Sequence, residues 1–250
     1  AITLHDSNQD FGAIKIFNPF KELRRIILKV TESKDFNSID EQVFAPESYK
    51  LSDKLHKDYP DASNKLSKGH SSDITTNIFD KLPEIFIDAP KAGYKYISIL
   101  GRQNKKRTTK YIREDYVKGP DNLYSWKVFL SKSNGSGTFG ETLSTPLIGK
   151  PLVGNTQTFI SIGNFQTEFE AKALLKYIKG KFLRALLGAL KVTQDNKKRV
   201  WKYVPVQDFT QNSDIDWTKT IPEIDQQLYK KYNLSSDEIN FIETKVQAMN

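Results

Sequence analysis

The sequence predicts an α+β fold: a curved mixed or antiparallel sheet packed on a long helix, with helical N- and C-terminal parts. Three observations carry that expectation. Short segments rich in Ile, Val and Tyr, punctuated by glycine and proline, recur between residues 84 and 206. One capped amphipathic run fills residues 167–191. Two further capping boxes, Thr220 with Glu223 and Ser235 with Glu238, open helices near 221–231 and 236–247.

Taken in order, residues 1–16 have no clear period. Phe20, Leu23, Ile26, Ile27 and Val30 then share one helical face. Asn18 suits the N-cap and Pro19 the first helical position. The helix starts so abruptly that the sequence reads as a piece of a longer chain. Residues 45–77, rich in Ser, Lys, Asp and Asn, read as a long irregular insertion, partly mobile. Strands are expected at Glu84–Asp88, Tyr94–Leu100 and Thr108–Ile112, with Gly101–Arg107 as a hairpin tip bearing four cations. Trp126–Ser131, Pro146–Gly154 and Thr156–Ile162 follow as strands. Thr167 and Glu170 cap a helix running to about Lys191. Its Phe169, Leu174, Tyr177, Ile178, Phe182 and Leu186 face a core, while Lys172, Lys176, Lys179 and Arg184 fall mostly elsewhere on the wheel. Lys197 to Val206 returns as a strand that stops at Pro205.

Composition narrows the function. The 250 residues are 38% hydrophobic and 27% charged, enough for a buried core. No apolar run approaches a membrane span, and no signal peptide is expected. With no cysteine, disulfides, cysteine–zinc sites and thiol catalysis are excluded. His5, His56 and His70 lack ligand spacing. The net charge is +8 and unevenly spread. Residues 91–132 carry +8 and residues 172–202 carry +9, which leaves −9 for the rest. Two basic segments on an acidic body point to a polyanion partner; the competing explanation is solvated lysine on helix and strand faces.

Several motifs fail on context. Gly135-Ser136-Gly137-Thr138-Phe139-Gly140 matches G-x-G-x-x-G after a strand, but the prolines and β-type residues of 142–151 leave no room for the helix a dinucleotide site needs. It reads better as a flexible turn beside DNA, where Gly135 and Gly137 let the backbone approach a phosphate. Pro60-Asp61 and Pro120-Asp121 are not followed by the Glu-x-Lys of a nuclease, and Glu243-Thr244-Lys245 lies in a helix. Asp214-Ile215-Asp216 reads as turn chemistry. Asn18-Pro19-Phe20 has one proline where the adenine-gripping Asn-Pro-Pro-Tyr motif has two.

STPLIGKPLVGNTQTFISIG, FLRALLGALKVTQDNKKRVWKYVPVQDFT and SDIDWTKTIPEIDQQLYKKYNLSSDEINFIE resemble the C-terminal portion of adenine-N6 DNA methyltransferases of bacterial restriction–modification systems. Those enzymes carry a TaqI-like specificity domain and are often fused to an endonuclease. The resemblance covers roughly residues 84–247 and weakens over 1–80. It implies a target recognition domain that reads the DNA site and helps present a flipped adenine. It also implies that methyl transfer and S-adenosylmethionine belong to a missing catalytic domain, so this chain is no enzyme and holds no cofactor. The implied partners are double-stranded DNA and the chain's own N-terminal methyltransferase domain, in the cytoplasm of a bacterium.

The chain then divides into 1–80, an N-terminal helix and polar insertion at the junction to that missing domain; 81–206, the recognition core; and 207–250, a helical buttress. Phosphate contacts are expected from Arg102, Lys105, Lys106, Arg107, Lys132, Lys191, Lys197, Lys198 and Arg199. Asn104, Asn134, Ser136, Thr193 and Gln194 are expected near bases or sugars. The rival readings are a small stand-alone nuclease and a protein-interaction module.

Overall fold

A computed structural model describes residues 18–249, so the aperiodic stretch 1–16 lies outside the described residues. The class is α+β, but the strands form three small sheets rather than one curved sheet. Helix α1 (Lys21–Thr31) buries Leu23, Ile26, Ile27 and Val30. Phe20 is its N-cap; Asn18 acts two residues earlier, accepting the Phe20 N–H at 2.9 Å.

The largest sheet is antiparallel. It contains β1 (Val43–Phe44), β6 (Trp126–Ser131), β7 (Leu147–Gly149) and β9 (Phe159–Phe165) in the order β1-β9-β6-β7. Between β1 and β6 lie β2 (Lys50–Leu51), α2 (Asp53–Asp58), α3 (Ile78–Lys81), β3 (Tyr96–Gln103), β4 (Lys106–Arg113) and β5 (Val117–Lys118). Strand β3 pairs antiparallel with β4 and parallel with β8 (Val153–Asn155); β2 pairs with β5. The expected strand at Glu84–Asp88 reduces to a single bridge, Ile87 opposite Tyr111. The stretch instead makes turns that bury Ile85 and Phe86.

The long helix is two helices. Its capping box is present, Thr167 with Glu170, and α4 covers Glu168–Lys179. Gly180 then turns the chain and α5 runs Lys181–Gly188. The cause lies on α6 (Ile221–Lys231), whose Asp225 accepts the Lys181 and Phe182 N–H groups at 2.8 and 3.0 Å. A Cβ on Gly180 would sit 2.7 Å from that carboxylate and would push it off the two N–H groups. Helix α7 (Ser236–Lys245) ends the fold; its capping box and that of α6 are both formed.

Lys197–Val206 is not a strand. Lys198–Trp201 forms a 3-10 turn. Val200, Trp201 and Val204 are all buried, and adjacent residues 200 and 201 cannot both face one side of a strand.

Packing cuts the chain elsewhere than at residues 80 and 206. One core joins α1, Ile39 and Val43 to β6, β9 and helices α4–α7. The 45–77 stretch belongs to the other core: Tyr49, Leu51, Leu55, Ala62, Leu66 and Ile74 pack with Ile97, Ile99 and Ile112 of the β3–β4 hairpin. That insertion is irregular in its elements but anchored throughout its length by apolar side chains. Leu100, Phe129 and Phe159 form a small cluster of their own, drawn from β3, β6 and β9. Among the described residues, no helix is long and apolar enough to cross a membrane.

Candidate nucleic-acid interface

Two basic prominences meet along one edge. The first is the end of the β3–β4 hairpin. Its turn is shorter than the sequence suggests, because Gln103 pairs with Lys106 and Arg102 with Arg107. Only Asn104 and Lys105 remain as turn residues, both left-handed at φ +51° and +62°. That is the geometry of a tight two-residue hairpin, which follows the natural twist of the strands. Asparagine tolerates this conformation; lysine does so at a cost.

The second prominence is a short ribbon. Residues 132–134 run antiparallel to 194–196: Asn134 N–H donates to the Gln194 carbonyl (2.7 Å), Asn196 N–H donates to the Lys132 carbonyl (2.8 Å), and Ser133 faces Asp195. The glycine turn and the segment after α5 are therefore on one face. The 142–145 strip joins both prominences. Arg107 donates to the Thr145 carbonyl at 2.7 Å, and Asn134 donates to the Thr142 carbonyl at 2.9 Å. Arg107 also lies over the Phe159 ring, 5.9 Å from its centroid, beside Ser131 on the neighbouring strand.

The residues expected here divide sharply by where their side chains go. Arg102, Asn104, Lys105, Lys106, Arg107, Thr193, Gln194, Lys197, Lys198 and Arg199 are exposed. Among the described residues, Arg102, Lys105, Lys106, Arg107, Lys198 and Arg199 form no ion pair; Lys197 pairs with Asp195 at 3.1 Å and the half-buried Lys132 lies 3.9 Å from Glu47.

Two expected contacts, Lys191 and Asn134, turn onto the chain itself, and the exposed Ser136 is bonded within its own turn. Lys191 is buried, and its Nζ donates to Glu141 Oε1 at 2.7 Å and to the carbonyls of Asn134 and Thr193. It has no reach to a phosphate. Asn134 bonds the strip through both ends of its amide: Oδ1 accepts the Ser144 N–H and hydroxyl, and Nδ2 donates to the Thr142 carbonyl. Ser136 gives its N–H to Glu141 Oε2 at 2.9 Å, and its hydroxyl pairs with that of Thr138.

Glu141 is the residue the sequence reading missed. Its carboxylate takes the Ser136 and Gly137 N–H groups and the Lys191 ammonium. The glycine turn thus forms an anion cradle, and the chain's own carboxylate fills it, not a phosphate. Burial pushes the Glu141 carboxyl up, but the Lys191 contact and the two N–H donors outweigh it and hold it below its ordinary value. Gly135, at φ +65°, has no room for a side chain against that carboxylate. The signal was available: Glu141 is the lone carboxylate between Asp121 and Glu168.

The turn is also tied to the helices. Phe139 packs on Phe20 and Phe241 with ring centroids 5.2 and 5.6 Å apart. Gln247 N–H donates to the Gly140 carbonyl, and the buried Arg184 donates to the carbonyls of Glu141 and Gln247. These contacts fix a segment that the sequence suggested was flexible. No helix follows the turn, in keeping with the failed dinucleotide motif. No group of three or more His, Cys, Asp or Glu able to hold a metal ion occurs among the described residues.

Comparison of the chain with protein-family models, with curated proteins and with solved structures finds no match.

Proposed function

We propose that this edge reads duplex DNA, and that the chain is the specificity part of a restriction–modification adenine-N6 methyltransferase whose methyl-transfer centre lies in another domain. The observation that carries the DNA reading is the convergence of two basic prominences on which Lys197 pairs with Asp195 while the other exposed cations lack counter-charges among the described residues. Exposed cations without a carboxylate partner among the described residues also occur away from this edge, at Lys57, Lys91 and Lys150 for example, so the clustering on the two prominences carries the weight. Here six exposed cations from the hairpin and the 198–199 turn have none among the described residues. A phosphate backbone supplies the missing charge, and each contact releases a counterion. Polar side chains between the cations, Asn104, Thr193 and Gln194, have the donors and acceptors that base edges require.

The assignment to methyltransferase specificity rests on the sequence resemblance. In that reading S-adenosylmethionine binds the other domain and this chain does no chemistry. Fluorescence anisotropy with short labelled duplexes at low salt tests the DNA reading, and failure to bind any duplex would end it. Titration calorimetry with S-adenosylmethionine tests the division of labour: no heat is expected, and stoichiometric binding would contradict it. Incubation of plasmid with Mg²⁺ separates the nuclease alternative, for which cleavage is the signature.

A further inference from the structure

Resting on the DNA reading above, we infer that Val192 reads the 5-methyl group of a thymine in the major groove. Val192 is 74% exposed, more than any other large hydrophobic side chain among the described residues. It stands between buried Lys191 and the exposed pair Thr193 and Gln194. The three consecutive exposed residues are an apolar group, a hydroxyl and an amide.

Their backbone is held from three sides. Gly137, at φ +87°, lets the glycine turn press against them, and a Cβ there would lie 2.5–2.7 Å from Thr193 N, Val192 C and Thr193 Cα. The Lys191 ammonium donates to the Thr193 carbonyl at 3.1 Å. Asn134 N–H holds the Gln194 carbonyl at 2.7 Å. A β-branched side chain on a fixed backbone has few rotamers to lose on contact. Val192 is therefore a rigid apolar knob at the end of a two-stranded ribbon, an element of the width that a major groove admits.

Phosphate and sugar contacts give no use for an apolar knob on a cationic edge. The thymine methyl is the apolar feature that the major groove offers, and small side chains contact it. Wedges that pry base steps apart are longer, as in Phe, Leu, Ile, Met or Pro. Gln194, two residues on with an amide free of internal partners among the described residues, has the donor–acceptor pair that matches adenine.

The experiment begins by selecting a preferred motif from a random duplex library. Each thymine of that motif is then replaced by deoxyuridine, which lacks only the methyl group. Wild-type protein should lose about fourfold in affinity at one position, the worth of one buried methyl. Val192→Ala, at an exposed site, should fold normally, bind the thymine duplex as wild type binds the uracil duplex, and show no preference between the two. If no thymine is sensitive, or if Val192→Ala keeps the same sensitivity, this inference is wrong while a selected motif leaves the DNA reading standing. If no duplex binds at all, the proposed function fails and takes the inference with it.

Discussion

Lys105 and Glu141 show opposite ways of paying attention to charge at a turn. Lys105 occupies a left-handed position where glycine would be more stable by about 1 kcal/mol. A strained residue at the tip of a basic hairpin is what a binding role would retain. Lys105→Gly should therefore raise the melting temperature by a few degrees while weakening DNA binding; a variant that loses both stability and affinity would contradict this. Glu141 works inside the fold. Glu141→Gln leaves the buried Lys191 ammonium without its anion, which should cost about 3 kcal/mol in a denaturant titration. Because the Glu141 carboxyl is held below its ordinary value, its contribution is present above the unfolded-state value and lost as pH falls through the lower folded one. Acid should loosen the glycine turn in the wild type, and the variant should lack that acid-dependent loss.

Among the elements, those whose causes are local were legible in the sequence. The capping boxes of α4, α6 and α7 and strand β6 follow from neighbouring residues and stand where the pattern put them, and the hairpin forms at the expected place with a shorter turn. The break at Gly180 was not legible, because its cause is Asp225, distant in sequence; a glycine inside a helical pattern was its one trace. The segment Lys197–Val206 was misread because its valines and aromatics have strand composition, while burial of the adjacent Val200 and Trp201 needs a turn. Asp225 makes the α5 start sensitive to pH. Burial pushes its carboxyl up to about 6, so the fold favours the protonated form. Its contribution is fully present below the unfolded-state value and is lost as pH rises through about 6, a span worth about 3 kcal/mol. Asp225→Asn should flatten the stability profile between pH 4 and 6 on the order of that amount. An unchanged profile would place the titration elsewhere.

At the scale of the whole molecule, both ends of the described chain converge on the site. Phe20 before α1, Phe241 in α7 and Gln247 after it all hold the 139–141 turn, so the C-terminal helices do more than buttress the rear. That convergence was invisible in the sequence, which shows charge and local period but not which side chains turn inward. Hence the basic segments were found, while the internal bonds of Lys191 and Asn134 were not foreseen. Charge counts alone cannot separate a lysine on the edge from one paired beneath it.

The central claim is that two separate prominences hold one duplex through its phosphates. The salt dependence of duplex affinity tests it most directly, measured for wild type, for Lys105→Ala/Lys106→Ala/Arg107→Ala, for Lys197→Ala/Lys198→Ala/Arg199→Ala, and for the combination. Wild type should show a steep slope, flattened in each triple variant by up to about 0.9 per lost phosphate contact, and flattened additively in the combination. A wild-type slope near zero, or triple variants with the wild-type slope, would contradict it.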